Sequence, residues 1–351
     1  MTKYYWIGGS GTWIFGDATH WSLSSGGPAQ PNSPMWTDDV VFDVNSSASA
    51  YTVTISSNAP CTNITIGNPL SGSVTIKNGS FIYGNLTIAA GAIVTSFLPL
   101  MKGVGGIQNV QSNGCAIGNL GIYSTSTVML LDDLLVPTGN FELTNGNFDA
   151  NGHNMTVSGF ATDGVCTNSH IYLRSGIITV AATLQIYDPT STLTLVCGTS
   201  TIRLTGVYNS CFYTIGGLTF YNIWVNYNAA NPNTYMAGSF TCNNLKLDPG
   251  VEVDFNDGDT FTLGSFTAIG TLGHYIKLSW YSGTSSFKLV SSGSIMSCDY
   301  LNVGHSNASP ALKWYTGVHN INSGSNTGWV FGAAPNAPVA SSLALALGLG
   351  I

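Results

Sequence analysis

The chain has 351 residues, of which 7% are charged and 44% hydrophobic, with 42 glycines and a formal net charge of −7. Ordinary soluble domains carry roughly a quarter charged residues; here polarity rests on Ser, Thr and Asn, which suit exposed strand faces and turns. Its 9 bases are scattered singly, which argues against a nucleic-acid or anionic-membrane partner, and no apolar run approaches the roughly 20 residues of a membrane-spanning helix.

Residues 1–46 are dense in aromatics and glycine: YYWIGGSGTWIFGDATHWSLSSGG, a Pro-broken stretch from Pro28 to Pro34, then WTDDVVFD. This predicts two or three strands folded into an N-terminal cap with Trp6, Trp13, Trp21 and Phe42 as its core. The opening Met1-Thr2-Lys3-Tyr4-Tyr5-Trp6 enters a strand-like segment without a charged-then-apolar leader, so export through a signal peptide of its own is not expected.

Residues 47–331 form the predicted body. Apolar residues alternate with polar ones in pairs: Val53 and Ile55, Ile64 and Ile66, Val74 and Ile76, Leu86 and Ile88, then Ile202 and Leu204, Leu245 and Leu247, Phe261 and Leu263, Ile276 and Leu278. Period-two alternation in short pieces separated by turn residues means many short strands with one buried face. An antiparallel sandwich and a solenoid both fit. The solenoid fits better, because stacking each strand on the one below removes the many edges that a sandwich would expose. Coils of roughly 20 to 27 residues, about ten of them at ~4.8 Å, predict a right-handed parallel β-helix near ~50 Å long. Asn145, Gly146, Asn147, Asn151 and Gly152 read as corners. Residues 97–116, FLPLMKGVGGIQNVQSNGCA, break the pattern and read as a lateral loop.

Residues 332–351 begin with an extended linker, AAPNAP. Then Leu343, Leu345, Leu347, Leu349 and Ile351 alternate with Ala and Gly. An uncharged strand with one apolar ridge must dock, either closing the end of its own rod or adding to a neighbouring chain.

Signals for chemistry are sparse. Glu142 and Asp149 read mainly as solvated acids, although two carboxylates across a groove are what glycan hydrolysis requires. DFNDGD, from Asp254 to Asp259, spaces oxygen ligands as a calcium loop does but lacks the distant bidentate Glu, and Asn256-Asp257-Gly258 is equally a tight turn. The six histidines have no HxxxH or HExxH spacing. The seven cysteines never form a CxxC pair and read as buried hydrophobes. Sequons such as Asn63-Ile64-Thr65 and Asn85-Leu86-Thr87 arise easily in this composition. Gly103-Val104-Gly105-Gly106 is no phosphate loop without a strand before it and a helix after it. Tyr83, Tyr208, Tyr221, Trp224 and Tyr227 are aromatics able to stack on sugars, or to pack in core and interface. No catalytic, cofactor-binding or metal residue is assigned.

The opening YYWIGGSGTW, THWSLSSGG and DDVVFD, with the close SPALKWYTGVHNINSGSNTGWVF from Ser309 to Phe331, resembles the ends of β-helical surface proteins of tailed phages and some bacteria, of pectin-lyase-like or tailspike-like architecture. The resemblance covers both ends; the middle matches in texture only. It implies a right-handed parallel β-helix, commonly a homotrimer, on the outside of a particle. The expected function is therefore a non-enzymatic structural protein at a virion surface, made without a signal peptide and attached by one end to capsid or tail. The alternatives are a receptor-binding or glycan-depolymerising tailspike with a host surface glycan as partner, and a bacterial adhesin.

Overall fold

A computed structural model describes the chain except residues 57–58, 164–165, 167, 188–191, 207–209, 215–216, 227–232, 292–293 and 336–351. Among the described residues there is no helix, and the strands build a right-handed parallel β-solenoid of about 12 turns. Each complete coil visits three faces in turn. In one coil, His170–Tyr172 lies on the first face, residues 177–180 on the second and residues 183–186 on the third. The run Leu134–Asp149 crosses all three faces without losing strand geometry.

Alternation places one side chain in two inside, and parallel register stacks like positions. On the second face Leu134, Met155, Ile178, Ile202, Ile223, Leu245 and Phe266 form one inward column. Val136, Val157, Val180, Leu204, Val225, Leu247 and Ala268 form its neighbour. All are buried, as are all sixteen residues of the apolar pairs read from the sequence. Phenylalanines thicken the core: the Phe141 ring lies 4.5 Å from Phe148 and 4.6 Å from Phe160.

Corners are held by Asn and Asp side chains that reach the backbone of the next coil. Asn63 N–H donates to Asp39 Oδ1 (3.3 Å), Asn85 N–H to Asn63 Oδ1 (2.7 Å) and Asn109 N–H to Asn85 Oδ1 (2.8 Å). The two sequon asparagines are thus members of a ladder. A second ladder runs from Asp133 through Asn154 to the Ile177 N–H. Of the predicted corner residues, Gly146, Asn151 and Gly152 have positive φ, whereas Asn145 and Asn147 continue the strand.

Residues 97–116 are not a lateral loop. Ile93–Met101 and Ile107–Gln111 are rungs, paired with Val74–Ile82, Leu86–Ile88 and Leu120–Leu130. Polar groups inside the corner hide them from an apolar pattern. Buried Gln108 accepts from Gly103 N–H (2.9 Å) and donates to the carbonyls of Ile82 (3.1 Å) and Gly84 (2.7 Å). Ser124 and Ser126 complete this network through the Gly103 and Gly105 carbonyls.

Within residues 1–46, Lys3–Trp6 and Asp39–Phe42 stack in parallel on the first face and Gly11–Trp13 pairs with Tyr51–Ile55, while Trp21–Ser22 runs antiparallel to Lys3–Trp6. Trp6, Trp13, Trp21 and Phe42 are fully buried, with rings 5.1 to 6.4 Å apart. These rungs and those of 93–111 account for a stack longer than the ten coils expected. Leu343, Leu345, Leu347, Leu349 and Ile351 lie outside the described residues.

Two substitutions test the stack. Phe141→Ala is expected to cost about 3–5 kcal/mol in chemical denaturation, the range for a fully buried aromatic. At Gly146, with φ +89°, an added Cβ would sit 2.2 Å from the Ser124 carbonyl oxygen, so Gly146→Ala is expected to lower the melting temperature through backbone strain.

Candidate functional site

Outward positions differ among the faces. The second presents Leu135, Thr156, Thr179, Arg203, Trp224, Lys246 and Thr267 in succession, and Trp224 lies between the Arg203 guanidinium (4.6 Å) and the Lys246 ammonium (4.1 Å) of adjacent coils. The third face carries the concave, chemically mixed surface. Its outward positions are uneven in size from coil to coil: Gln185 is level with Tyr213, and Tyr213 with Ala237. Depressions form where the small residues fall.

Three cavities lie along this face. One of about 280 Å³ is lined by Tyr123, Glu142, Thr144, Ala161, Gln185 and Tyr187 among others. A second, about 370 Å³, lies over Ala237 and Gly238 between Tyr213 and Tyr235. A third, about 250 Å³, is bounded by Cys211, Asn233, Tyr235, Asp254 and Tyr281. The Tyr187 and Tyr213 rings are near parallel at 6.5 Å, and Tyr235 touches Tyr281 at 4.3 Å.

Hydrogen bonds fix the groove floor. Tyr235 Oη donates to Asn256 Oδ1 (2.9 Å) and Asn256 Nδ2 to Asp259 Oδ2 (2.9 Å). Asp259 also accepts from Gly238 N–H (2.8 Å) and Ser239 Oγ (3.3 Å), so it ties its turn to the preceding coil. Asp254 accepts from Asn233 Nδ2 (2.9 Å); burial, reinforced by nearby Glu252, raises its pKa above the usual carboxylate range despite that bond. Burial likewise raises the Tyr235 phenol.

The DFNDGD stretch is a tight turn with Gly258 at φ +76°. Its carboxylates diverge: Asp254 toward Asn233, Asp257 toward Ser285 N–H (3.0 Å), Asp259 toward Gly238. Among the described residues no three His, Cys, Asp or Glu side chains converge as metal ligands would. Glu142 and Asp149 do not face each other, because the strand that carries both turns a corner between them. Glu142 is level with Gly121 and Ala161 on the third face, Asp149 with Met129 and Tyr172 on the first. Asp149 instead holds Arg174 through two bonds, 3.1 and 2.7 Å. Histidines serve local contacts: His20 stacks on Trp6 at 4.7 Å and bonds Asp17, and His319 bonds Asp299. Burial pushes the Cys61 and Cys242 thiols up to about 12, which leaves them protonated packing groups.

Of the aromatics singled out in the sequence, Tyr83 lies beside Trp36 and Trp224 on the second face, and Tyr208 and Tyr227 lie outside the described residues. The tyrosines that line the groove, Tyr123, Tyr187, Tyr213, Tyr235 and Tyr281, were missed. No repeat in the sequence marks them, because Tyr213 is level with Gln185 and Ala237 whereas Tyr235 is level with Cys211 and Asp254. Comparison with family models, with curated proteins and with solved structures finds no match to this chain.

The acids predict a pH response. Burial alone would raise Asp149, but bonds from Arg174 and the Asn151 N–H outweigh it and hold the carboxyl below its ordinary value near 3.8. Asp133, Asp17 and Asp299 are lowered too, by bonds from Asn154, Thr19 and the His319 N–H among others. Their stabilisation is complete above the unfolded value and is lost as pH falls through the folded values. Asp254, raised on folding, acts in the opposite sense. The melting temperature is expected to fall steadily in acid below roughly pH 4, and Arg174→Ala is expected to shrink that fall.

Proposed function

We propose that this chain is a non-enzymatic structural rod of a virion-like particle: a fibre, spike or decoration protein, trimeric, fastened by one end. The supporting observation is the stack itself, about 12 turns with apolar columns inside and Thr, Ser and Asn outside. Hydrogen bonds between coils run along the axis and hold the rod extended without a partner inside it. Uncharged flat faces can pack against sister chains with little charge to desolvate.

Attachment by one end is supported by an apolar patch at the N-terminal rungs. Ile14, Phe15, Met35 and Trp36 are exposed there, beside a cavity of about 470 Å³ lined by Tyr4, Phe15, Pro31 and Met35. Exposed apolar clusters of this kind mark interaction sites. The acids support a non-catalytic reading: Asp39, Asp133, Asp149 and Asp259 are engaged with neighbouring coils.

Light scattering on the purified chain is expected to give three times the chain mass, and electron microscopy of particles from cells expressing a tagged chain is expected to place the tag on the exterior. A monomer absent from particles would refute the proposal. So would a fall in polysaccharide viscosity on incubation with the chain, which is the mark of a depolymerase.

A further inference from the structure

We infer that sister chains join through unlike faces: the Arg203–Trp224–Lys246 cluster on the second face of one copy seats in the Ala237 depression on the third face of the next, closing a ring of three. This rests on the reading of the chain as a trimeric rod, and it names the surfaces that build the trimer. The second face offers a knob. In its outward column from Leu135 to Thr267, Arg203 and Lys246 are the only charges, and they flank the Trp224 ring at 4.6 and 4.1 Å. Tryptophan and arginine are the residues in which interfaces concentrate their binding energy. The third face offers a hole, the cavity of about 370 Å³ over Ala237 and Gly238, with Tyr213 and Tyr235 at its sides and Asp259 among its lining.

Height decides the match. In a closed ring about an axis parallel to the rods, copies are related by rotation without translation, so each coil meets coils of its own level. The coil that carries Arg203 on its second face carries Tyr213 on its third, the coil of Trp224 carries Ala237, and the coil of Lys246 carries Asp254. Each part of the knob therefore stands level with a counterpart: the guanidinium with a tyrosine ring, the indole with the depression, the ammonium with a carboxylate. Charge agrees with shape. Lys246 pairs with Asp248 of its own chain at 3.3 Å, which leaves the cluster positive, whereas Glu252, Asp254, Asp257 and Asp259 crowd one coil with Lys277 paired to Glu252 alone. Burial and the neighbouring Glu252 raise the Asp254 pKa, so a cation arriving beside these acids is favoured. A two-fold pair is excluded by the same charges. Second face on second face would set Arg203 and Lys246 against their own copies, and third on third would do the same to the acids.

Light scattering on the full chain over a dilution series tests this together with cross-linking. Arg203→Glu/Lys246→Glu is expected to move dissociation of the trimer to about tenfold higher protein concentration or beyond, with the melting profile of a folded chain. Lys246→Glu alone is expected to weaken the trimer, and adding Asp254→Lys to restore it. Cross-linking does not depend on how these charge variants fold. Cys211, on the third face, is the one cysteine of the seven that is not buried, and Thr201 lies on the second face of the same coil. Thr201→Cys treated with a short bismaleimide is expected to give covalent bands of two and three chains, and removal of the native thiol by Cys211→Ala to abolish them. Trimer mass retained by Arg203→Glu/Lys246→Glu, or a trimer that yields no covalent bands, overturns the pairing of faces and leaves the trimer standing. Bands that continue beyond three chains overturn the closed ring. A wild-type chain that stays monomeric at every concentration removes the trimer itself, and this interface with it.

Discussion

Vertical register is the constraint on which everything else depends. Each backbone bonds to the coil above and the coil below, and a slip by one residue would turn every inward side chain outward. The columns from Leu134 to Phe266 and from Val136 to Ala268 keep that register over seven coils. Strict register also decides the surface. What one coil presents outward is placed next to the same position of its neighbours, so ladders and grooves are properties of columns rather than of local sequence.

The corner ladders show how register is enforced where strands end. Asp39, Asn63 and Asn85 each accept from the main chain of the following coil. These bonds satisfy amide groups that a turn leaves without a strand partner, and they explain why a chain so poor in charge is rich in Asn. Acids are drawn into the same service: Asp133 and Asp259 anchor neighbouring coils. A carboxylate engaged this way is a structural acceptor first, so acid content alone is a poor guide to chemistry in this fold.

Architecture was legible because burial alternates. Val53 and Ile55, or Leu245 and Leu247, announce an inward face without help from any distant residue. Residues 97–116 were not legible as rungs, because Gln108, Ser124 and Ser126 are buried and satisfied by carbonyls from other coils. A pattern read along the chain cannot see partners about twenty residues away. The separation of Glu142 from Asp149 was hidden for a related reason, since a corner lies inside one uninterrupted strand. The groove was harder still. Tyr213 and Tyr235 look like ordinary strand tyrosines until Ala237 and Gly238 are placed between them, and that placement depends on coil length.

Axial hydrogen bonding makes the rod mechanically anisotropic. Tension from end to end loads the rungs in series, so the weakest coil yields first and the rest can remain folded. A sideways blow is shared among many coils at once and spreads through the packed interior. Such a shaft tolerates bending and collision better than pulling, and under traction it would fail progressively, peeling coil by coil from whichever end is gripped.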